Sequence, residues 1–311
     1  MSILVVGSVA LDSVRTSFKE AKDVLGGSAS YFAYAASYFG EVRLVAAVGY
    51  DFPQQYMDLF NKKGIDITGL EKKEGKTFRW SGVYKKDINQ RETLSVDLGV
   101  LGGFYPELPD KHRKSDYVFL ANIDPELQLH ILDQVENPKL VVCDTMDIWI
   151  ENKKSVLLDV FKRADVVMLN DSEARQLTKE SDFAKAADKI LKLGVKYVVI
   201  KMGEHGVMFF SKDTCFALPA YPVKNVLDPT GAGDSFGGGF LGYISKVNPE
   251  DFRDNTIRKA LVYGTIIASF TVEDFSLNRL ITLKGHEIRK RIEEFRKILE
   301  IGDLTQSFDS V

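Results

Sequence analysis

Cysteine is scarce in this chain, where Cys143 and Cys215 are the two present among 311 residues. Both lie in apolar runs far apart in sequence, so we expect two buried thiols of a reducing compartment and no disulfide framework. The four histidines have no metal-ligand spacing with one another or with either cysteine. The sequence therefore gives no indication of a zinc site or of a Cys/His catalytic pair.

An excess of charge of one sign is also lacking, because 44 acidic residues face 41 Lys and Arg for a net charge of −3. The charges are interspersed, which argues against a nucleic-acid or anionic-membrane surface. No apolar run approaches the length of about 20 residues needed to span a bilayer. The N-terminal Met1–Gly7 has no basic leader and indicates a strand. We expect a cytoplasmic protein without nucleic-acid or membrane partners.

What the chain does have is a regular alternation of short β-branched runs and amphipathic stretches. The runs predict strands at Ile3–Val9, Val42–Val48, Tyr117–Ala121, Leu140–Cys143, Val166–Leu169 and Tyr197–Ile200. The stretches predict helices near Ser28–Phe39, Gln54–Lys62, Pro125–Gln134, Lys153–Lys162, Phe183–Leu193 and Ile257–Thr271. This alternation argues for an α/β fold in which a parallel sheet is covered on both sides. With no repeat or linker, we expect a single domain over residues 1–311.

The segment Thr77–Leu98 breaks this rhythm. It contains two runs of alternating polarity, Phe78–Tyr84 and Glu92–Leu98, and the polar link Lys85–Arg91 joins them. The pattern predicts an antiparallel hairpin, and Asp12–Val24 could supply further strands of the same small sheet. A few strands cannot bury both faces alone, so such a sheet usually serves as a lid, a dimer contact or both. The alternative is a hairpin on the edge of the main sheet.

A glycine turn ahead of a helix occurs within Asp228–Phe240. Pro229 marks a break, and the small residues Gly231–Gly233 leave their backbone N–H groups open to a ligand. A helix is predicted to follow from Asp234, and helix N-termini favour bound anions. A carboxylate beside an anion site is a well-placed proton acceptor. We therefore predict a phosphoryl-transfer site in which Asp234 activates a hydroxyl, the alternative being an ordinary helix start.

Other glycine turns and polar residues follow predicted strands, where open α/β sheets bind ligands. Asp12 follows the first strand and could accept hydrogen bonds from ligand hydroxyls. Gly26–Ser30 is a second glycine turn before a helix, and Lys201–Gly206 is a turn whose glycines admit a ligand. Asn170–Glu173 could hold water and a divalent metal, or could be an ordinary helix N-cap.

Two common nucleotide-binding motifs are rejected. Gly69–Thr77 is one residue longer than a P-loop and precedes a predicted strand rather than a helix. Gly231–Gly233 lacks the third glycine of the dinucleotide fingerprint, because Phe236 stands in its place. The chain is therefore neither a P-loop NTPase nor a typical dinucleotide dehydrogenase.

Taken in order, the motifs resemble those of the ribokinase or PfkB family of carbohydrate kinases. Asp228–Asp234 resembles that family's C-terminal signature D-[TP]-[TP]-G-A-G-D, and Gly26-Gly27 resembles its N-terminal substrate motif. Asn170–Glu173 is similar to its N-x-x-E motif, and Lys201–Gly206 to its nucleotide-side turn. The resemblance implies a ribokinase-like α/β fold, with a mainly parallel central sheet, flanking helices and a small β lid formed by about residues 12–24 and 76–100.

The resemblance also implies roles for individual residues. Asp234 would be the general base, and the backbone of Gly231, Ala232 and Gly233 would stabilise the transferring phosphoryl group. The residues implied in binding are Asp12, Gly26, Gly27 and Tyr31 for the substrate, Asn170, Glu173, Lys201, Gly203 and Gly206 for the nucleotide, Glu173 for Mg²⁺ through water, and Asp228 and Thr230 for a monovalent cation. The implied cofactors are ATP, Mg²⁺ and K⁺, and a homodimer through the lid is implied as well.

Three departures from the family pattern bear on the acceptor and the cation. Tyr31 stands where the family usually has Asn, four residues after the second glycine. Val272–Ser276 replaces a glycine-bearing turn beside the adenine pocket and cation site, which leaves K⁺ activation open. Four residues follow two central strands, where they could remodel the acceptor pocket or serve turns and caps: Asn122, Asp124, Asp144 and Trp149.

We expect an ATP-dependent enzyme that phosphorylates a hydroxyl of a small sugar or sugar-like acceptor. The alternative in the same reaction class is a nucleoside (adenosine-like) kinase, since several aromatic residues could stack on a base: Tyr31, Tyr34, Phe78 and Trp80. Those residues fit core and lid packing equally well. A third hypothesis is a non-catalytic sugar-binding protein, which the intact Asp234 and its glycine turn disfavour.

Overall fold

The computed structural model describes residues 1–85, 91–250 and 252–300. Residues 86–90 of the predicted link Lys85–Arg91 lie outside this part of the chain. The strands are, in chain order, β1 (Ser2–Val6), β2 (Ala10–Arg15), β3 (Glu20–Gly26), β4 (Glu41–Gly49), β5 (Ile65–Lys73), β6 (Phe78–Tyr84), β7 (Arg91–Asp97), β8 (Tyr117–Leu120), β9 (Leu140–Asp144), β10 (Val166–Asn170), β11 (Tyr197–Lys201), β12 (Val207–Phe210) and β13 (Cys215–Leu218).

The helices are α1 (Ser28–Ala36), α2 (Gln54–Lys63), α3 (Asp110–Arg113), α4 (Pro125–Leu132), α5 (Asp147–Asn152), α6 (Lys154–Arg163), α7 (Asp171–Thr178), α8 (Phe183–Leu191), α9 (Ala232–Val247), α10 (Asp254–Thr271), α11 (Asn278–Thr282) and α12 (Gly285–Leu299). Two single turns of 3₁₀ helix, Gly99–Gly103 and Gly203–His205, complete the regular structure of the described residues. Every helix described is too short or too polar to cross a bilayer.

The large sheet has nine strands in the order β13-β12-β11-β10-β9-β8-β1-β4-β5. Neighbouring strands pair in parallel except at one edge, where β12 pairs antiparallel with both β11 and β13. Side chains alternate between its two faces. Ile3 and Val5 of β1 lie in a core shared with α1, α9 and α10, whereas Leu4 and Val6 lie in a core shared with α4, α6 and α8. This burial on both faces confirms the predicted α/β architecture with a mainly parallel sheet.

The small sheet has four strands in the order β3-β2-β6-β7. Strands β6 and β7 form the predicted antiparallel hairpin, and β2 and β3 come from the Asp12–Val24 region. The hairpin is thus part of a separate sheet rather than the edge of the large one, because β6 pairs with β2 in parallel. We call this four-stranded sheet the lid. That the whole chain forms one domain with a lid stays a prediction.

Several expectations from sequence were wrong or incomplete. The first strand ends at Val6 instead of Val9, because the chain leaves the large sheet at Gly7 to enter the lid. Cys215 is exposed on the edge strand β13, whereas Cys143 is buried as expected. Strands β5, β12 and β13 and helices α7 and α12 were not predicted. Edge strands are short or carry charges on one face, so their apolar runs are weaker than those of central strands.

Candidate active site

The carboxyl ends of the parallel strands collect the predicted motifs along one edge of the large sheet. Strand β11 ends at Lys201, β10 at Asn170 and β9 at Asp144. Continuing along the same edge, Asn122 follows β8 and Gly7 follows β1. Ligands of open α/β sheets bind at this edge. The expected nucleotide residues therefore lie towards one end of it, and the expected acceptor residues towards the other.

Helices α1 and α9 bring the two predicted glycine turns together. Helix α1 begins after Gly27, and α9 begins after Gly231. Where the two helices pack, a Cβ on Gly238 would lie 2.6 Å from the backbone oxygen of Phe32, so a glycine is needed for this close approach. The turn at Gly27 and the turn at Gly231–Gly233 consequently belong to one site.

We call Gly231–Gly233 the anion turn. Its conformation depends on the left-handed backbone of Gly231, which has a φ of +75°. A Cβ at this position would lie 2.3 Å from Cγ of Tyr31, so a larger residue would be strained in backbone and in packing alike. Tyr31, expected to bind substrate, is buried with its ring against this turn. Burial, followed by the charge of Asp228, raises the pKa of Tyr31 well above its usual range. The Tyr31 ring thus packs against the anion turn on the side where the acceptor is expected to bind.

Asp234 is the third residue of α9, and its environment makes it a stronger base than an ordinary aspartate. Burial, together with the charge of Asp144, raises the pKa of Asp234 to about 7. The opposing cation is Lys201, whose Nζ lies 3.1 Å from the place of a Cβ on Gly233 and 2.6 Å from Oδ2 of Asp144. Burial alone would lower the pKa of Lys201, but the surrounding carboxylates raise it. A proton acceptor and a charged ammonium therefore meet at the anion turn.

Asp12 was expected directly after the first strand, but it lies on lid strand β2. Its Oδ2 accepts a hydrogen bond of 3.4 Å from the N–H of Gly27, and a Cβ on Gly26 would lie 1.9 Å from that same oxygen. Its buried Oδ1 has no hydrogen-bond partner among the described residues. Burial raises the pKa of Asp12 to about 7. The free oxygen is placed to accept a hydrogen bond from a hydroxyl group.

Asp228 and Thr230 lie together ahead of the anion turn. Oδ1 of Asp228 accepts the N–H of Thr230 at 2.9 Å, while its buried Oδ2 has no hydrogen-bond partner in the described ranges. Burial raises the pKa of Asp228. Thr230 Oγ1 donates to the hydroxyl of Tyr84 at 3.2 Å, and the Asp228 N–H donates to the Val272 oxygen at 3.3 Å. These bonds tie the segment to the lid and to the unusual loop that Val272 opens.

Asn170 and Glu173 form a reciprocal cap at the start of α7. The Glu173 N–H donates to Asn170 Oδ1 at 2.8 Å, and the Asn170 N–H donates back to Glu173 Oε2 at 2.8 Å. Burial and the charge of Asp144 raise the pKa of Glu173 to about 8. Among the described residues, no group of three or more His, Cys, Asp or Glu could hold a metal. One carboxylate still suits Mg²⁺, which keeps several waters and takes further ligands from phosphates.

The predicted glycine turn after β11 is present. Gly203 and Gly206 have φ values of +56° and +94°, and the Met202 N–H donates to the Gly206 oxygen at 2.8 Å. A Cβ on Gly206 would lie 2.1 Å from the backbone oxygen of Leu218. The turn therefore requires glycine, and it lies beside Lys201 at the end of the site where a nucleotide is expected.

Two contributors to the site were not assigned from sequence. Asp144 was named only as a residue that could remodel the acceptor pocket or serve a turn, whereas it forms the ion pair with Lys201. Arg91, the first residue of β7, opposes the effect of burial and of Asp144 on the pKa of Asp234. An acid at the end of a central strand is a recognisable signal, but nothing in the local sequence of Arg91 points to the site.

The chain is similar to known kinases in sequence and in fold. A family model described as pfkB family carbohydrate kinase matches residues 2–282. A cytidine kinase from Thermococcus kodakarensis is 29% identical over 256 residues, which make up 80% of this chain and 90% of that protein. The structure of a nucleoside kinase from Methanocaldococcus jannaschii has a TM-score of 0.75 at 24% identity and covers 94% of this chain and 98% of its own.

A ribokinase-type structure from E. coli in complex with ATP and Mg²⁺ has a TM-score of 0.74 at 18% identity, over 94% of this chain and 99% of that one. The fold is therefore ribokinase-like, as the motifs predicted. Since the family model covers nearly the whole described chain, this protein belongs to the pfkB family of carbohydrate kinases.

Proposed function

We propose that the protein transfers the terminal phosphoryl group of ATP to a hydroxyl of a small acceptor that contains a sugar ring, with Asp234 as the general base. The observation that carries this proposal is the position of Asp234 in the first turn of α9, next to Gly231–Gly233. The charge of Lys201 acts on Asp234 at this position and lowers its pKa against the effect of burial. A helix N-terminus with open N–H groups suits an anion, and the carboxylate suits a proton. A non-catalytic binding protein would not need both.

The reaction follows from these groups. The acceptor hydroxyl would lie between Asp12 and Asp234, and Asp234 would take its proton as the acceptor oxygen bonds to the γ-phosphorus. The bond from that phosphorus to the β–γ bridging oxygen breaks, and ADP leaves. Backbone N–H groups of Gly231 and Gly233 and the ammonium of Lys201 would stabilise the charge on the transferring group, whereas the N–H of Ala232 already donates to the oxygen of Pro229 at 3.2 Å. A pKa of about 7 makes Asp234 an effective base near neutral pH.

ATP and Mg²⁺ are the co-substrate and metal that membership of this kinase family implies. We infer that Lys201, Gly203 and Gly206 contact the nucleotide from the end of β11, and that Asn170 and Glu173 do so from the end of β10. Bound Mg²⁺ would supply positive charge to the phosphates. Glu173 is a buried carboxyl whose pKa is affected by the charges of both Asp144 and Lys201. It would hold that ion through water.

Replacing Asp234 by Asn tests the proposal. We expect kcat for ADP release in the presence of the acceptor to fall by about 10³-fold, since general bases typically contribute 10²–10⁴-fold. The melting temperature should not fall, because the change removes a charge whose burial is unfavourable. The matched control is Asp188→Asn on the exposed face of α8, which should retain full activity. Activity of the Asp234→Asn enzyme within a few-fold of the original would exclude this role.

For the acceptor, the lid favours a nucleoside over the free sugar that the sequence suggested first. Trp80 pairs in register with Asp12 between β6 and β2, so both side chains project from the same face of the lid. The indole packs against Val14, Tyr84 and Phe275 and is partly exposed, so its remaining surface offers an apolar contact beside the carboxylate expected to bind sugar hydroxyls. Tyr31 and Tyr34 are buried and unavailable for stacking. The similarity to a cytidine kinase and a nucleoside kinase supports this choice.

Three finer features are also proposals. The unpaired Oδ2 of Asp228, beside Thr230, supports a monovalent cation such as K⁺ at this place. The exposed strand β7 supports a homodimer through the lid. The use of ATP and the buried thiol of Cys143 support a cytoplasmic location.

A further inference from the structure

Asn122 lies at the acceptor end of the site, although the reaction proposed above gives it no role. It follows β8, between the Lys201–Asp144 pair at the end of β9 and the end of β1. The hydroxyl of Ser28, the residue after Gly27, donates to the backbone oxygen of Asn122 at 3.1 Å. The same Ser28 Oγ lies 3.1 Å from Ser8 Oγ. These bonds fix the Asn122 backbone against the turn expected to bind the acceptor.

The orientation of the Asn122 amide is determined by Trp149. The indole Nε1, which can only donate, lies 2.8 Å from Asn122 Oδ1, so that atom must be the amide oxygen. The amide nitrogen then lies on the other side, where its contact is Met146 Sδ at 3.1 Å. A thioether sulfur is a weak acceptor, and an amide NH₂ has two hydrogens to donate. The partly exposed Asn122 therefore keeps strong donor capacity for a ligand.

The helix that carries Trp149 is fixed to the same loop. Lys153, at the end of α5, contacts Asp124 at 2.8 Å and Glu126 at 2.9 Å. Asp124 is two residues beyond Asn122, so an ion pair and the indole hydrogen bond both join α5 to this loop. The donor geometry is therefore held by the protein before any ligand binds.

We propose that Asn122 and Trp149 recognise the base of a nucleoside acceptor, with the Asn122 amide donating to an acceptor atom of the base and the half-buried indole packing against its ring. This inference rests on the proposed nucleoside kinase function. It assigns the choice of acceptor to the end of β8 and to α5, whereas the reacting hydroxyl is handled by Asp12 and Asp234. The two tryptophans of the chain, Trp80 and Trp149, would then both border the bound nucleoside.

Kinetics with Asn122→Ala separate this role from a structural one. We expect the KM for the preferred nucleoside to rise roughly 10-fold or more, with kcat and the KM for ATP within about 2-fold, because one hydrogen bond to the base is lost. Free D-ribose, which has no base, should be phosphorylated at the same slow rate by both enzymes. Trp149→Phe, which keeps an aromatic ring but loses the N–H, should show a smaller rise in nucleoside KM. Asn152→Ala, which removes an exposed amide from the same helix, is the control and should leave all constants unchanged.

Binding can be measured without turnover. In the Trp80→Phe variant Trp149 is the one remaining tryptophan, and we expect the nucleoside alone to change its fluorescence, whereas ribose alone should not. Equal effects of Asn122→Ala on ribose and nucleoside, or an unchanged Trp149 signal at saturating nucleoside, would overturn the assignment while leaving the kinase function intact. If the unchanged enzyme phosphorylates sugars but no nucleoside, both the acceptor class and this inference are wrong.

Discussion

Several carboxyl groups are buried together at the end of the site where the acceptor is expected to bind. Asp12 and Asp234 both have pKa values raised to about 7, chiefly by burial, and burial also raises the pKa of Asp228. Such carboxyls keep protons in the folded chain that they lose in the unfolded chain near pH 4. Their effect on stability therefore has a definite sign: the free energy of unfolding falls as pH rises from about 4 to about 7. The buried carboxyl groups of the site thus make the folded protein less stable at neutral pH than it would be without them.

The activity should have the opposite dependence on pH. The general base must be deprotonated, so we expect kcat/KM to decrease with falling pH below about 7, with the midpoint set by Asp234. Asp144→Asn should move that midpoint to lower pH, because it removes the largest charge that raises the pKa of Asp234 and releases Lys201 from its ion pair. The measurement is a pH profile of kcat/KM for both enzymes. An identical midpoint in the variant would show that Asp144 does not control the base.

For individual residues, the sequence indicated which side chains could serve the site, but it did not indicate which side chains would contact one another. Asp234, Gly27 and Glu173 could be proposed from sequence because their chemistry is local: a turn, a helix start, an acid at a fixed spacing. The ring of Tyr31 against Gly231 and the pairing of Asp144 with Lys201 could not be predicted, because each joins segments far apart in the chain. Long-range contacts of this kind depend on the sheet order, which composition and spacing do not determine.

Among the elements, α7 shows how one side chain can have two roles. Glu173 closes the reciprocal cap with Asn170, and it is also the carboxyl proposed to hold Mg²⁺. Its pKa of about 8 means that it is largely protonated at neutral pH in the absence of Mg²⁺. Binding of Mg²⁺ through water would favour the ionised form, whose oxygens can still accept the hydrogen bonds from Asn170.

Glu173→Gln separates the two roles. Gln keeps one oxygen for the Asn170 N–H but loses the hydrogen bond that Glu173 Oε1 accepts from Asn170 Nδ2. We therefore expect a smaller fall in melting temperature than for Asn170→Ala, but the Mg²⁺ concentration for half-maximal activity should rise about 10-fold or more. Asn170→Ala is the complementary variant: loss of the cap should destabilise the protein by about 1 kcal/mol. Thermal unfolding and Mg²⁺ titrations of activity distinguish them. A large loss of stability with unchanged Mg²⁺ dependence in Glu173→Gln would show that this residue is only a cap.

The strands that the sequence did not predict, β5, β12 and β13, lie at the two ends of the large sheet. Helix α12 has apolar residues at helical spacing, Ile288, Ile292, Phe295 and Leu299, so its signal was present and was overlooked. Strand β5 contains Gly69 and several charges, which favoured a loop. Helix α7 begins directly after β10, without a loop to separate the two patterns. Central strands were predicted well because burial on both faces leaves continuous apolar runs.

For the whole molecule, the alternation of strands and helices was enough to predict the architecture. The small sheet was predicted from the two runs of alternating polarity within Thr77–Leu98, which interrupt that alternation. The placement of the lid over the site was not predictable from periodicity. It depends on the pairing of β2 with β6, which carries Asp12 and Trp80 to the same face. The large sheet and the lid are thus joined by residues 7–9, which lead from β1 to β2.

The lid also presents an edge strand, β7, which pairs with β6 on one side and with no strand of the described residues on the other. All seven residues of β7 are exposed, and Leu94 and Val96 are each 52% exposed. Exposed apolar edges usually pair with another chain unless charges or covering elements prevent it. Because the proposed partner is a second copy, we expect the mass measured by analytical ultracentrifugation to be twice that of the 34.9 kDa chain at micromolar concentration.

Leu94→Lys should weaken this dimer by roughly 10-fold or more in Kd, since it places a charge in an apolar contact. The matched control is Ile298→Lys in α12, which changes a side chain that is 50% exposed and lies outside the lid. It should leave the mass unchanged. A monomer at every concentration, or equal effects of the two substitutions, would mean that β7 does not mediate dimerisation and that the lid functions within a single chain.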